Sequence, residues 1–242
     1  MDVRETRGLE HGVTSGKVPT HYLSDGEIYY LWFFIQGAIM DPFVRRQLRN
    51  SWGFCQRHTV GWLSVESAFH PDYLHGPSIL LSDLIERAHN CLHRYKVPLI
   101  LATGLKNKRP CFMCALGYNS KSAGYAREDI VELGSDVGHL VRFAVETKPY
   151  WQKYICPRCV PNTGGVLCRS HLIQELSHSR LSSIPHQQQF TDYILEQLAL
   201  LGRSFQWEFR GSETTECQAS LISAAGWLNG WTELMNFVDK RK

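Results

Sequence analysis

Apolar positions recur along most of this chain at helical rather than strand spacing. "PSILLSDLIERAHNCLHRY" places Leu80, Leu84, Ala88 and Leu92 on one face. "HQQQFTDYILEQLALLG" does the same with Phe190, Ile194, Leu198 and Leu201. Residues 27–39 read as an aromatic helix. A second helix starts at "MDPFVRRQLRN", where Asp41 is a natural N-cap and Pro42 suits the first helical position. A third begins near Cys55 and runs toward Ala68. "DVGHLVRFAVETKPYWQKY" predicts a helix kinked or interrupted at Pro149, and two more helices follow at about 187–202 and 213–238, with Gly211 between them. "VPLILATG" is short, apolar and partly β-branched, which is compatible with a strand, but one such run makes no sheet. "FHPDYLHGP" and the Gly-, Ser- and Tyr-rich stretch 117–126 are loops, and "CPRCVPNTGGVLCRSH" is a turn-rich knuckle. The pattern predicts a mainly α fold, a helical bundle. A polar, loose segment at 1–26 precedes one helical domain at 27–242, divisible into units 27–120 and 121–242.

Charge changes this picture little. The formal net charge is +3 over 242 residues, too small to demand a nucleic acid or an anionic surface. The first residues lack an apolar signal core, and the longest apolar run, "IYYLWFFIQGAIM", is too short to span a bilayer and contains Gln36. A cytoplasmic protein without membrane partners is expected. Disulfides are disfavoured there, so clustered cysteines read as metal ligands or redox thiols.

Six of the eight cysteines fall in pairs with a second ligand three residues on. Cys111-Phe-Met-Cys114 and Cys156-Pro-Arg-Cys159 are CxxC pairs. Cys55-Gln-Arg-His58 and Cys168-Arg-Ser-His171 are CxxH pairs. Such spacing lets two ligands on one tight turn reach the same tetrahedral ion. Eight ligands make two Cys3His sets, and zinc suits them because it accepts mixed sulfur and nitrogen donors without redox tuning. The bundle is thus expected to be stabilised by two zinc knuckles. The eight-residue loop "VPNTGGVL" joins Cys156 and Cys159 to Cys168 and His171, with Pro161 and Gly164-Gly165 supplying the turn. By elimination Cys55 and His58 pair with Cys111 and Cys114. The rival arrangement joins Cys111 and Cys114 to Cys168 and His171. Cys91 and Cys217 lie on helical stretches and read as plain core thiols. His89, His93 and His139 read as surface or core residues. His89 and His93 have ligand-capable spacing but no adjacent acidic or Cys partner in the sequence.

"YLWFFIQGAIMDPFVRRQLRNSWGFCQRHTVGWL" resembles an uncharacterised bacterial family of helical proteins. In that family a CPxC motif, a helix, an Asp-Pro turn and a GFCxxH motif form a repeated unit. The later pieces here are "CFMC" and "LCRSH", and "SFQWEFRGSETTECQASLISAAGWLNG" is similar to the family's aromatic-rich ending. The resemblance covers about a third of the chain and implies a helical metal-binding protein, without supplying an activity. The chain departs from the pattern. It has no cysteine before Cys55 and carries an additional CPRC at 156–159, so the family's ligand pairing does not transfer.

Four protein ligands close a zinc site, whereas catalytic zinc usually keeps a water position open. There is no Gly-rich phosphate loop, HExxH or GxSxG motif. The chain therefore reads as a zinc-stabilised adaptor for a protein partner, with the enzyme question open and leaning toward a non-catalytic role. Arg45, Arg49, Lys106, Lys108 and Arg109 flank the first site as a contact edge. A nucleic acid is the alternative partner. Against it, two zinc ions and six thiolates change the net charge by a further −2, to about +1. A redox or iron–sulfur role for the CxxC pairs is the third reading.

Overall fold

Local signals set where the first helices begin. In the computed structural model, which describes residues 22–71, 74–179 and 182–239, helix α1 spans Asp25–Ile35. Ser24 caps it in a reciprocal capping box with Glu27. The segment expected to be loose, 1–26, lies outside the described residues through residue 21. A 3-10 turn, Ala38–Met40, leads to α2, Pro42–Ser51. There Asp41 Oδ1 accepts from the N–H groups of Phe43 and Val44, each at 2.9 Å.

Helix α3, Gln56–Phe69, starts at Cys55 and is buried from His58 through Ala68. It has no exposed face because it is the central rod. Helices α4 (His75–Arg94), α5 (Pro98–Leu105), α6 (Phe112–Ala115), α7 (Glu128–Gly134) and α8 (Gly138–Trp151) follow. After the knuckle come α9 (Arg169–Ser177), α10 (Ile184–Ser204), α11 (Thr215–Asn229) and α12 (Thr232–Asp239). Helix α11 is a second central rod, buried from Cys217 to Leu228 apart from Gln218. α1, α7, α8 and α12 pack on α3, α8 and α10 pack on α11, α4 pairs with α10, and α5 pairs with α9. Five tryptophans, Trp52, Trp62, Trp151, Trp227 and Trp231, are fully buried among these helices.

Three expectations need correction. Residues 98–105, compatible with a strand in isolation, form α5, since Pro98 occupies the first helical turn. Leu101, Ala102 and Leu105 then share one buried face against α9. The helix expected over 213–238 breaks at Gly230, which has φ +99°. The break folds Trp231 back onto Gly226, where a Cβ would meet the indole at 2.5 Å. Pro149 sits in the last turn of α8 and does not interrupt it, because the helix ends two residues later at Trp151. Among the described residues there is no β-strand, and no helix is long and apolar enough to cross a membrane.

Candidate metal centres

The x-x spacing has a helical origin. Cys55, Cys111 and Cys168 are the N-cap residues of α3, α6 and α9, and His58, Cys114 and His171 are the third helical residues that follow them. N-cap and third-position side chains lie on the same side of a first turn, the relation a capping box uses. A thiolate there also faces the positive end of the backbone dipoles. Cys156 and Cys159 span a separate tight turn, in which the N–H groups of Cys159 and Val160 both donate to the Cys156 carbonyl at 3.0 Å.

Packing then selects the pairing. Cys55, His58, Cys111 and Cys114 converge in one group, and Cys156, Cys159, Cys168 and His171 in another, their ligand atoms within 4.8 Å of one another. The mixed pairing of Cys111 and Cys114 with Cys168 and His171 does not occur. In the first set, His58 Nδ1 lies 3.3 Å from Cys55 Sγ and 3.4 Å from the sulfurs of Cys111 and Cys114, with Cys55 and Cys114 3.8 Å apart. In the second, His171 Nδ1 lies 3.3 Å from Cys156 and Cys168 and 3.5 Å from Cys159, and Cys159 lies 3.6 Å from Cys168. A tetrahedral ion with metal–sulfur bonds of about 2.3 Å spaces its sulfurs by about 3.8 Å, and sulfur from nitrogen by about 3.5 Å. The observed edges fit a single ion per set and are far too long for disulfides. All eight cysteines are free thiols.

The electrostatics ask for a cation. Hydrogen bonding from Cys55 holds the Cys111 thiol below its ordinary value. The same bond and burial push Cys55 up to about 12, and burial raises Cys114. Likewise Cys156, receiving hydrogen bonds from Cys159 and Cys168, is lowered while they are raised. Ionising one sulfur of a packed set disfavours ionising its neighbours, because like charges repel at this range. A divalent ion at their centre allows all three to ionise.

The first set has a carboxylate behind its histidine that the sequence reading missed. Glu27 Oε1 lies 2.9 Å from His58 Nε2, and the Glu27 carboxylate accepts two bonds from Arg57, at 2.8 and 2.7 Å, and one from the Ser24 N–H at 2.8 Å. Its second oxygen also serves the α1 capping box. Burial would raise the Glu27 pKa, but the Arg57 and His58 hydrogen bonds outweigh it and hold the carboxyl below the usual carboxylate range. With Nε2 held by Glu27, Nδ1 is the nitrogen presented to the sulfurs, the carboxylate–histidine arrangement that orients metal ligands. Ser24 and Glu27 also form the α1 capping box, a local role that the structure shows.

Arg169 joins the two sets. It follows Cys168, is buried, and donates to the carbonyls of Leu228 (2.9 Å) and Leu105 (2.7 Å) and to Asn107 Oδ1 (2.9 Å), on the segment leading to Cys111. Burial lowers its pKa to about 10. Its guanidinium stands 5.1 Å from the Trp52 ring, with Arg87 at 3.8 Å from the same ring. Trp52 is in the left-handed region (φ 56°) at the end of α2, and the following Gly53 (φ 86°) donates to the Leu48 carbonyl. This turn delivers Cys55 to the start of α3. The α11–α12 turn closes the assembly: Gln56 accepts from the Glu233 N–H at 3.2 Å, and Trp231 backbone bonding supports Cys159.

Of the expected contact residues, Lys106, Lys108 and Arg109 are exposed and have no carboxylate partner among the described residues. Their loop is tied to α2 because the Lys108 and Arg109 N–H groups donate to the Asn50 carbonyl and Trp52 Nε1 donates to the Lys106 carbonyl. Arg45 and Arg49 are instead paired with Asp83, at 3.2 and 2.9 Å. Comparison with protein-family models, with curated proteins and with solved structures finds no match to this chain.

Proposed function

We propose that the protein is a zinc-stabilised helical adaptor whose two Cys3His centres are structural and whose task is to hold a protein partner. The observation that carries this reading is the closure of each set: four protein ligands converge on one point, Cys111, Cys156 and Cys168 are buried, and no ligand position is left for substrate. Zinc fits better than an iron–sulfur cluster because ligand edges of 3.6–3.8 Å between sulfurs surround one ion. A redox dithiol role fits poorly, since each CxxC pair is committed to a histidine-containing set. The reading places the protein in a reducing compartment, where such thiols persist.

The contact edge in this reading is the loop at Lys106, Lys108 and Arg109; Met40 just before α2, Phe43 in its first turn and Leu116 at the end of α6 are exposed apolar side chains. Charge together with exposed apolar side chains suits an acidic protein surface. A nucleic acid is the weaker partner. With Arg45 and Arg49 engaged by Asp83, three unpaired cations are a small footprint for phosphate binding.

The test is the triple variant Lys106→Glu, Lys108→Glu, Arg109→Glu, with zinc content measured beside the wild type. Pull-down and nucleic-acid mobility shift run in parallel. Loss of a captured protein with two zinc ions retained supports the adaptor reading. Unchanged capture removes this edge, and a protein purified with iron and sulfide removes the zinc assignment.

A further inference from the structure

A third group of ligand-type side chains lies away from both cysteine sets. His89 and His93 sit four apart on α4, one above the other on the same face. The fold supplies a third ligand from about a hundred residues on. Asp192 of α10 points one carboxylate oxygen at both rings: Oδ1 lies 3.0 Å from His89 Nε2 and 3.1 Å from His93 Nε2. The two imidazoles face each other at 4.2 Å between centroids, tilted by 32°. All three ligand atoms therefore converge.

The scaffold under this group is closely packed. Helices α4 and α10 form an extensive packed pair through Leu84, Ala88 and Leu92 on one side and Phe190, Ile194 and Leu198 on the other. Gln188 Nε2 donates to the Leu92 carbonyl at 3.0 Å, which fixes the register beside the site. The contacts 92 with 188 and 89 with 192 run in opposite senses, so the helices are antiparallel. Glu86 and Glu196 then stand at the same end of the cluster, one turn from His89 and Asp192. Both are exposed and have no partner among the described residues, and they add negative charge next to the histidines. Asp192 has no Lys or Arg partner among the described residues; the two imidazole nitrogens are its neighbours.

We propose that His89, His93 and Asp192 form an open site for a divalent first-row transition ion. Metal–nitrogen and metal–oxygen bonds of about 2.0–2.1 Å place neighbouring donors about 3 Å apart when the bond angles are near 90°. The observed edges match that spacing, which belongs to a five- or six-coordinate ion with positions left for water. Imidazole and carboxylate are the ligands that zinc, cobalt, nickel and ferrous iron accept. The ligand side chains are 31%, 42% and 50% exposed for His89, His93 and Asp192, so the ion exchanges with solvent and an outside ligand can reach it. This sets the site apart from the two closed sets, and its chemistry is that of a reversible, solvent-facing Lewis acid.

The test uses the untagged full chain, equilibrium-dialysed against Co²⁺ and read by metal analysis and absorption. The expected result is one further ion per chain with weak visible bands and no thiolate charge transfer. The variant His89→Ala/His93→Ala should lose that ion, with affinity down more than about 100-fold, since outer-shell changes alone cost about 10–100-fold. It should keep its helical circular dichroism and the metal in the cysteine sets. If that variant fails to fold, Asp192→Asn, at a half-exposed surface position, gives the same reading. Absence of a third ion at millimolar cobalt, leaving only a hydrogen-bonded His–Asp cluster, overturns the proposal. So does a third ion that persists in the variants. The proposal fails independently of the adaptor reading, because thiolate-to-cobalt absorption reports the cysteine sets and the nitrogen–oxygen bands report this site.

Discussion

On the zinc reading proposed above, replacing Glu27 by Gln tests whether metal binding at the first Cys3His set depends on the carboxylate behind its histidine. Glu27 accepts four bonds, two from Arg57 and one each from His58 and the Ser24 N–H. An amide keeps the shape but turns one oxygen into a donor, which then faces Arg57 or His58, both donors. The Arg57 side chain is 32% exposed and can turn to water. His58 Nε2 is buried and cannot. Loss of a buried pair costs about 3–5 kcal/mol when neither partner can escape, so with Arg57 partly solvated about 2 kcal/mol is expected. Loss of an outer-shell partner lowers metal affinity by about 10–100-fold. The assay is competition with a chromophoric zinc chelator, which resolves the two ions by their release. Glu27→Gln should weaken one ion by that factor and leave the other unchanged. Ser24→Ala is the control: it removes the helix cap at about 1 kcal/mol but keeps the Glu27–His58 contact. If the two variants release zinc alike, Glu27 acts only through the cap and the reasoning fails. The acid side follows from sign. Glu27 is held below its ordinary value of 4.5, so its contribution is complete above that pH and is lost as pH falls toward the lowered value.

Four further outcomes are expected. Arg169→Met leaves the Leu228 and Leu105 carbonyls and Asn107 Oδ1 without their donor; a loss of about 2–3 kcal/mol in urea unfolding is expected, with faster zinc release from both centres. Gly165→Ala places a Cβ 2.3 Å from the Ile155 carbonyl oxygen, so zinc retention at the second set should fall, as measured by metal analysis after dialysis, while the first set holds. Burial pushes Glu66 up to about 7; its contribution is full below about pH 4.5 and lost as pH rises through 7, so Glu66→Gln should raise thermal stability at pH 8 by roughly 2–3 kcal/mol and have little effect at pH 5. Withdrawal of zinc by a strong chelator should lower helical circular dichroism and the unfolding midpoint together, because structural zinc binding is folding energy.

The ligand motifs were legible in the sequence because they are local. A cysteine at an N-cap and a ligand three residues on are juxtaposed by the backbone of one helical turn, whatever the rest of the chain does. Asp41-Pro42 and the periodic faces of α4 and α10 were legible for the same reason: they rest on capping chemistry and on a 3.6-residue period. Cys156 to His171 could be grouped because an eight-residue loop leaves its ends few places to go. Which CxxC met Cys55 and His58 was settled by packing, since fifty residues of intervening chain can close in many ways. Residues 97–105 carry strand-like composition, yet without a partner strand their backbone groups are satisfied only by a helix, and α9 supplies the surface that buries it. Glu27 behind His58, Arg169 between the two centres and Asp192 over His89 and His93 come from 31, about 60 and about 100 residues away. Such contacts cost loop-closure entropy and leave no local signature. They exist because helices already docked through their apolar faces bring these polar side chains within bonding distance at the helix ends and rims.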